Sequence, residues 1–253
     1  MRHRSKINRA DLVVIATCVV LAVLTVGAAG ESARQLAREL ACMGNNEVLL
    51  GAWLAYADDN DGALVGGFTG PDQWVDRAFS SALLDEKLEG IRRGLLFPYV
   101  GDLNIYHCPA DQALNDPNYP LFRTYSIAGG ANGEVWGSYR TARVYSDLEN
   151  PATRYVFVEE ADPRGSNIGS WQMNPRAVNP SWTDPLAMWH TESTVLGFAD
   201  GHAEVRRWND QSLIDWCHTA MYGGAFSFGM TPPDDEQEDI EYMAQGFPYK
   251  SLR

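Results

Sequence analysis

From Leu12 to Ala29 the chain reads LVVIATCVVLAVLTVGAA, without a charge or a proline. A helix of that length rises about 27 Å, close to the ~30 Å of a bilayer's hydrocarbon core. Arg2, Arg4, Lys6 and Arg9 precede it. A basic flank of this kind stays cytoplasmic, so everything after Gly30 is expected outside. A cleaved secretory signal, ending near Gly27-Ala28-Ala29, and a buried soluble helix are the competing readings. The residues that follow favour a retained anchor. Apolar positions recur at Ala33, Leu36, Ala37, Leu40 and Met43, then at Leu50, Trp53, Leu54 and Tyr56, which is helical spacing. One long helix is predicted, its first half in lipid and its second half on a globular domain, with Gly44-Asn45-Asn46 as a candidate kink.

Charge narrows the partners. The first nine residues hold four of the 20 basic residues and none of the 33 acidic ones, which leaves −17 on residues 10–253. Such a body repels nucleic-acid phosphates, so no nucleic-acid partner is expected.

Several short elements then fall in a recognisable order. Asp11-Leu12-Val13-Val14-Ile15 opens the apolar run, AlaCysMetGlyAsnAsn occupies 41–46, TyrAlaAspAspAsnAspGly occupies 56–62 and CysProAlaAsp occupies 108–111. His190 is followed after nine residues by Asp200-Gly201. Together these resemble a prepilin/pseudopilin-like family with a C-terminal H-x9-DG motif, abundant in planctomycete-type bacteria. The resemblance implies a structural or assembly protein of a type II secretion-like or type IV pilus-like system. It implies an inner-membrane anchor, a periplasmic C-terminal domain, other pilin-like subunits as partners and no catalytic residue. It also implies leader cleavage between Lys6 and Ile7, with Lys6 standing where the family has glycine. Asp11 takes the position of the family's helix-start carboxylate, which sets subunit register by pairing with a neighbour's N-terminal ammonium. A plain interfacial acid favoured by the helix dipole is the other reading of Asp11. Cys42 and Cys108 both sit in elements of the resemblance, and in an oxidising compartment a disulfide between them is expected. Cys217 is then left over, and Cys18 lies in the anchor.

The expected architecture is α+β, one long helix against an antiparallel sheet with long loops. The segments are a leader and transmembrane helix (1–30), an exported helical continuation (31–62), a globular domain (63–222) and a flexible acidic tail (223–253). Asp58–Gly62 should stop the helix. A short helix is expected around 80–89. Strands are expected at 104–107, 123–127, 140–145, 154–159, 194–198 and 203–208. Asp200-Gly201 reads as a hairpin turn, with a short helix after Asn209 or Asp210.

Chemistry is sparse. Asp58, Asp59 and Asp61 offer hard oxygen ligands of the kind Ca²⁺ takes, though without an EF-hand pattern; no other cofactor is expected. Glu159, Glu160, His190, Asp200 and His202 would suit zinc if their strands were neighbours. Otherwise His190 is expected to bond the hairpin backbone. The tryptophans are expected to fill the core. A membrane-tethered module binding glycan or envelope polymer is the alternative function, and a metal-dependent exported hydrolase a third.

Overall fold

The computed structural model describes residues 9–77, 82–111, 123–135, 139–164, 169–175, 179–223 and 225–250, and over 9–16 and 18–29 the backbone alone. The expected cleavage residues Lys6 and Ile7 lie outside the described residues, as do the side chains of Asp11 and Cys18. Among the described residues no helix is long and apolar enough to cross a membrane; the expected anchor at 12–29 falls where side chains are not described.

Helix α1 (Arg9–Asp59) is one continuous element. Gly44-Asn45-Asn46 does not break it, and both side-chain amide nitrogens find carbonyl acceptors. Asn45 Nδ2 donates to the His107 carbonyl (3.1 Å) and Asn46 Nδ2 to the Cys42 carbonyl (3.2 Å). Burial along α1 begins at Cys42 and recurs at Asn46, Leu49, Leu50, Trp53 and Ala57, a stripe of helical period. From Glu31 to Ala41 the helix is largely exposed, with Leu36 and Leu40 more than half accessible. The apolar residues at 33–40 therefore do not pack on the domain, as helical spacing alone had suggested. The end of the helix is as expected. The Gly62 N–H turns back to the Ala57 carbonyl at 2.8 Å, with Asp61 and Gly62 at φ of +54° and +81°.

Two short helices follow, α2 (Leu84–Arg92) and α3 (Phe97–Val100). The expected strand at 104–107 is instead a 3₁₀ turn, Leu103–Tyr106, started by the Asp102 carboxylate accepting from the Asn104 N–H at 2.9 Å. Sheet strands are β1 (Tyr125–Ile127), β2 (Tyr155–Glu159), the two-residue pair β3 (Met173–Asn174) and β4 (Ser181–Trp182), β5 (Ser193–Phe198) and β6 (Ala203–Arg207). The main sheet is antiparallel in the order β1-β2-β5-β6, and β3 pairs with β4. Residues 140–145, expected as a strand, make only isolated bridges to Ala131, Tyr249 and Ala63.

β2 and β5 are buried along their whole length, so both faces of the sheet are covered and neither strand shows polar alternation. On one face α1 packs with Trp53, Trp74, Tyr106 and Phe157. On the other lie Trp171, Trp182 and Trp208 with helices α4 (Gln211–Tyr222) and α5 (Glu238–Gly246). These five tryptophans are core residues and form no exposed sugar platform.

Helix α5 corrects the expectation of a flexible acidic tail at 223–253. Asp239, Ile240, Met243 and Phe247 are fully buried. At the hairpin the Gly201 N–H donates to the Phe198 carbonyl (2.9 Å), and the Phe198 N–H to the His202 carbonyl (2.8 Å). The turn is thus Ala199-Asp200-Gly201, one residue longer than an Asp-Gly pair, with Gly201 supplying φ of +104°.

Candidate functional site

Four side chains from four separate segments meet between α1 and the sheet. Cys42 comes from the first buried turn of α1, Cys108 from the loop after the 3₁₀ turn, Glu159 from the end of β2 and His190 from the loop before β5. One ligand atom from each lies within 4.8 Å of all the others, and all four residues are buried. His190 Nε2 stands 3.3 Å from Cys108 Sγ and 3.2 Å from Glu159 Oε1.

Two of the donors, Glu159 and Cys108, are held from behind. The Glu159 carboxylate takes the Val195 N–H on its second oxygen at 2.7 Å. Cys108 Sγ accepts from the Ala110 N–H (3.4 Å), and the Cys108 N–H donates to Thr124 Oγ1 (2.7 Å). Asn45, bonded to the His107 carbonyl, ties the α1 backbone to the Cys108 loop. Gly197 lets β5 come close to the same turn of α1: a Cβ there would sit 2.8 Å from Asn46 Oδ1 and 2.9 Å from Leu50 Cδ1. Among the described residues His190 Nδ1 has no hydrogen-bond partner, so the polar contacts of the imidazole are made by Nε2 toward the cluster.

The electrostatics is that of acids gathered around one base. Hydrogen bonding to Cys108 holds the Cys42 thiol below its ordinary range despite burial. Burial raises Cys108, and the bond to Cys42 adds to the rise. Burial opposes the His190 imidazolium, but hydrogen bonds to Cys42 and Glu159 and their charges outweigh it and raise the group to about 10. Tyr125, at the edge of the cluster, is pushed up by burial and by the charge of Glu159.

Chemically this is a donor set of two thiols, one imidazole and one carboxylate. It is closed to solvent, with Cys42, Cys108 and Glu159 fully inaccessible and His190 2% exposed. Cys108, His190 and Glu159 resemble a nucleophile–base–acid row, yet no substrate atom reaches a sulfur so covered. Cys42 and Cys108, expected as a disulfide, are both free thiols here, and Cys217 is a third, on the buried face of α4.

The other expected residues do not join this site. Glu160 points elsewhere, bonded to Ser126. Asp200 and His202 pair with each other at the exposed hairpin tip, where His202 Nε2 also lies 3.3 Å from Glu204. His190 bonds side chains of the cluster and not the hairpin backbone. Asp58, Asp59 and Asp61 are exposed and form no metal-sized group among the described residues; Asp59 accepts from the Tyr99 hydroxyl at 3.0 Å. Glu159 and His190 were readable from the sequence as possible partners. The two cysteines were not read as donors, because their pairing as a disulfide already accounted for them.

No family model, no curated protein and no solved structure was found to match this chain.

Proposed function

We propose that the chain is a membrane-anchored, pilin-like structural or assembly protein. The observation that carries this reading is the form of α1. Its last turns are built into the core from Cys42 onward. The turns just before them, from Glu31 to Ala41, are mostly exposed, touch the domain through Gln35 and Thr191, and show Leu36 and Leu40 to the outside. That exposed rod continues the apolar run at 12–29, an arrangement suited to lateral packing against similar helices beyond a bilayer. Asp11 would sit at the start of the run, available for pairing with a neighbour's ammonium group.

Mass spectrometry of the protein from its own membrane tests the reading. A chain that resists alkaline extraction and carries a methylated N-terminus at Ile7 is the expected result. A freely soluble chain lacking its first thirty or so residues would overturn it.

A second reading, a tethered binding module for glycan or envelope polymer, has one feature in its favour. An open cleft of about 640 Å³ lies beside the end of α1, where Tyr56 and Phe68 face Gln73, Asn132 and Arg143. Aromatic faces beside amide groups suit sugar hydroxyls. An intact Met1 together with saturable binding of envelope polysaccharide would favour this second reading over the first.

A further inference from the structure

We propose that Cys42, Cys108, Glu159 and His190 bind one zinc ion, which fastens α1 to the sheet where the exposed rod enters the domain. The inference stands apart from the pilin-like reading, since it depends only on these four side chains.

Geometry is the first support. Zinc bonds of about 2.3 Å to sulfur and 2.0–2.2 Å to nitrogen and oxygen give tetrahedral edges of roughly 3.3–3.8 Å. The His190–Cys108 and His190–Glu159 separations of 3.3 and 3.2 Å lie close to such edges, and no pair of donor atoms exceeds 4.8 Å.

Donor chemistry is the second. Two thiolates with an imidazole select a borderline-soft cation over Ca²⁺ or Mg²⁺, which take oxygen cages. Four protein ligands leave no open position, so the site is structural and not hydrolytic. The third is the support behind the donors. The Val195 N–H fixes the free oxygen of Glu159, and the Ala110 N–H points at the Cys108 sulfur, as outer-shell groups do in metal sites.

Position gives the ion its use. Among the described side chains of α1, Cys42 is the first that is buried, while Cys108, Glu159 and His190 belong to three segments of the domain. Metal bonds there would stop the helix from peeling away at its most leveraged point.

The test uses the full chain, purified in detergent without added metal, with elemental analysis and reconstitution by Co²⁺. About one zinc per chain is expected, along with sulfur-to-cobalt charge-transfer absorption and the visible bands of tetrahedral cobalt. Cys108→Ser and Glu159→Gln should lose the zinc or weaken it at least tenfold, while Cys217→Ser keeps it. Chelation of the wild-type chain should lower the thermal midpoint by roughly 10 °C, reversibly on zinc addition. Should the variants fail to fold, the wild-type cobalt spectrum decides alone. A metal-free chain with no cobalt–thiolate band overturns the proposal, whether its cysteines prove to be free thiols or a Cys42–Cys108 disulfide.

Discussion

Asp184 shows how one residue converts burial into pH dependence. Its carboxylate accepts the Gln172 N–H at 2.9 Å, is nine-tenths covered, and shares its surroundings with Asp162 and Glu134. Burial, aided by those acids, pushes its pKa up to about 7. The folded state therefore holds a proton that the unfolded chain releases from about pH 4 upward. This stability is present below pH 4 and is lost as pH rises through 7. Asp184→Asn keeps an acceptor for Gln172 and removes the charge. Denaturant titrations at pH 4 and 8 should show the variant gaining on the wild type by on the order of 2 kcal/mol at the higher pH; an equal difference at both values would refute the assignment. The same scale explains what could be read of the site. His190 lies 31 residues from Glu159 and 82 from Cys108, so no local ligand spacing announces the cluster. Only the pairing of β2 with β5 and the seating of α1 across them bring the four together. Glu159 and His190 are legible only as members of a wider donor set that needs neighbouring strands; Cys42 and Cys108 read as a disulfide because both sit in elements of the family resemblance and face an expected oxidising compartment.

At the scale of elements, the part least legible in the sequence is the junction of α4 and α5. ProProAspAspGluGlnGluAsp at 232–239 has the composition of a solvated tail, but its acids act as caps. Asp239 Oδ2 accepts the N–H groups of Asn209 (2.7 Å) and Asp210 (2.8 Å), and its Oδ1 takes Arg206 at 2.9 Å. Asp210 returns a bond to the Asp239 N–H at 2.9 Å, and Glu236 accepts from the Ser212 N–H at 2.7 Å. The N-terminus of α4 is thus satisfied by carboxylates from a distant segment, where the helix dipole also favours them. The signal available was Ile240, Met243 and Phe247 at helical spacing after the acids, masked by the acidic run before them. By contrast, the β5–β6 hairpin and the stop of α1 were legible because Asp-Gly and Asp-Asn-Asp-Gly have local backbone preferences that no tertiary contact needed to override. Asp239→Ala removes a fully buried carboxylate and takes the acceptor from three donors, the buried Asp210 N–H among them; it should cost about 2 kcal/mol in urea unfolding, with Asp239→Asn recovering part of it. A loss below ~0.5 kcal/mol for the alanine variant would mean that the brace is incidental.

For the whole molecule, the arrangement divides the long helix into mechanically different parts. From Cys42 onward α1 is a wall of the core, and its removal would uncover Trp53, Leu49 and Leu50. From Glu31 to Ala41 most side chains face outward; Arg34 pairs with Glu31 at 2.7 Å within the helix, and Gln35 reaches Thr191 in the loop that carries His190. An exposed pair of this kind contributes little to stability, so this stretch opens locally at far lower cost than the domain. Trypsin should therefore cut the native protein first after Arg34 or Arg38, both exposed, and release a body that begins at Gln35 or Glu39. Because every α1 side chain described as buried stays with that body, its thermal midpoint should remain within a few degrees of the full chain's. Mass spectrometry of the first fragment and a melting curve of the released domain check both halves of this expectation. A first cut inside 63–222, or a released body that melts far earlier, would mean that residues 31–41 belong to the folded unit and that the rod and the domain are one element energetically.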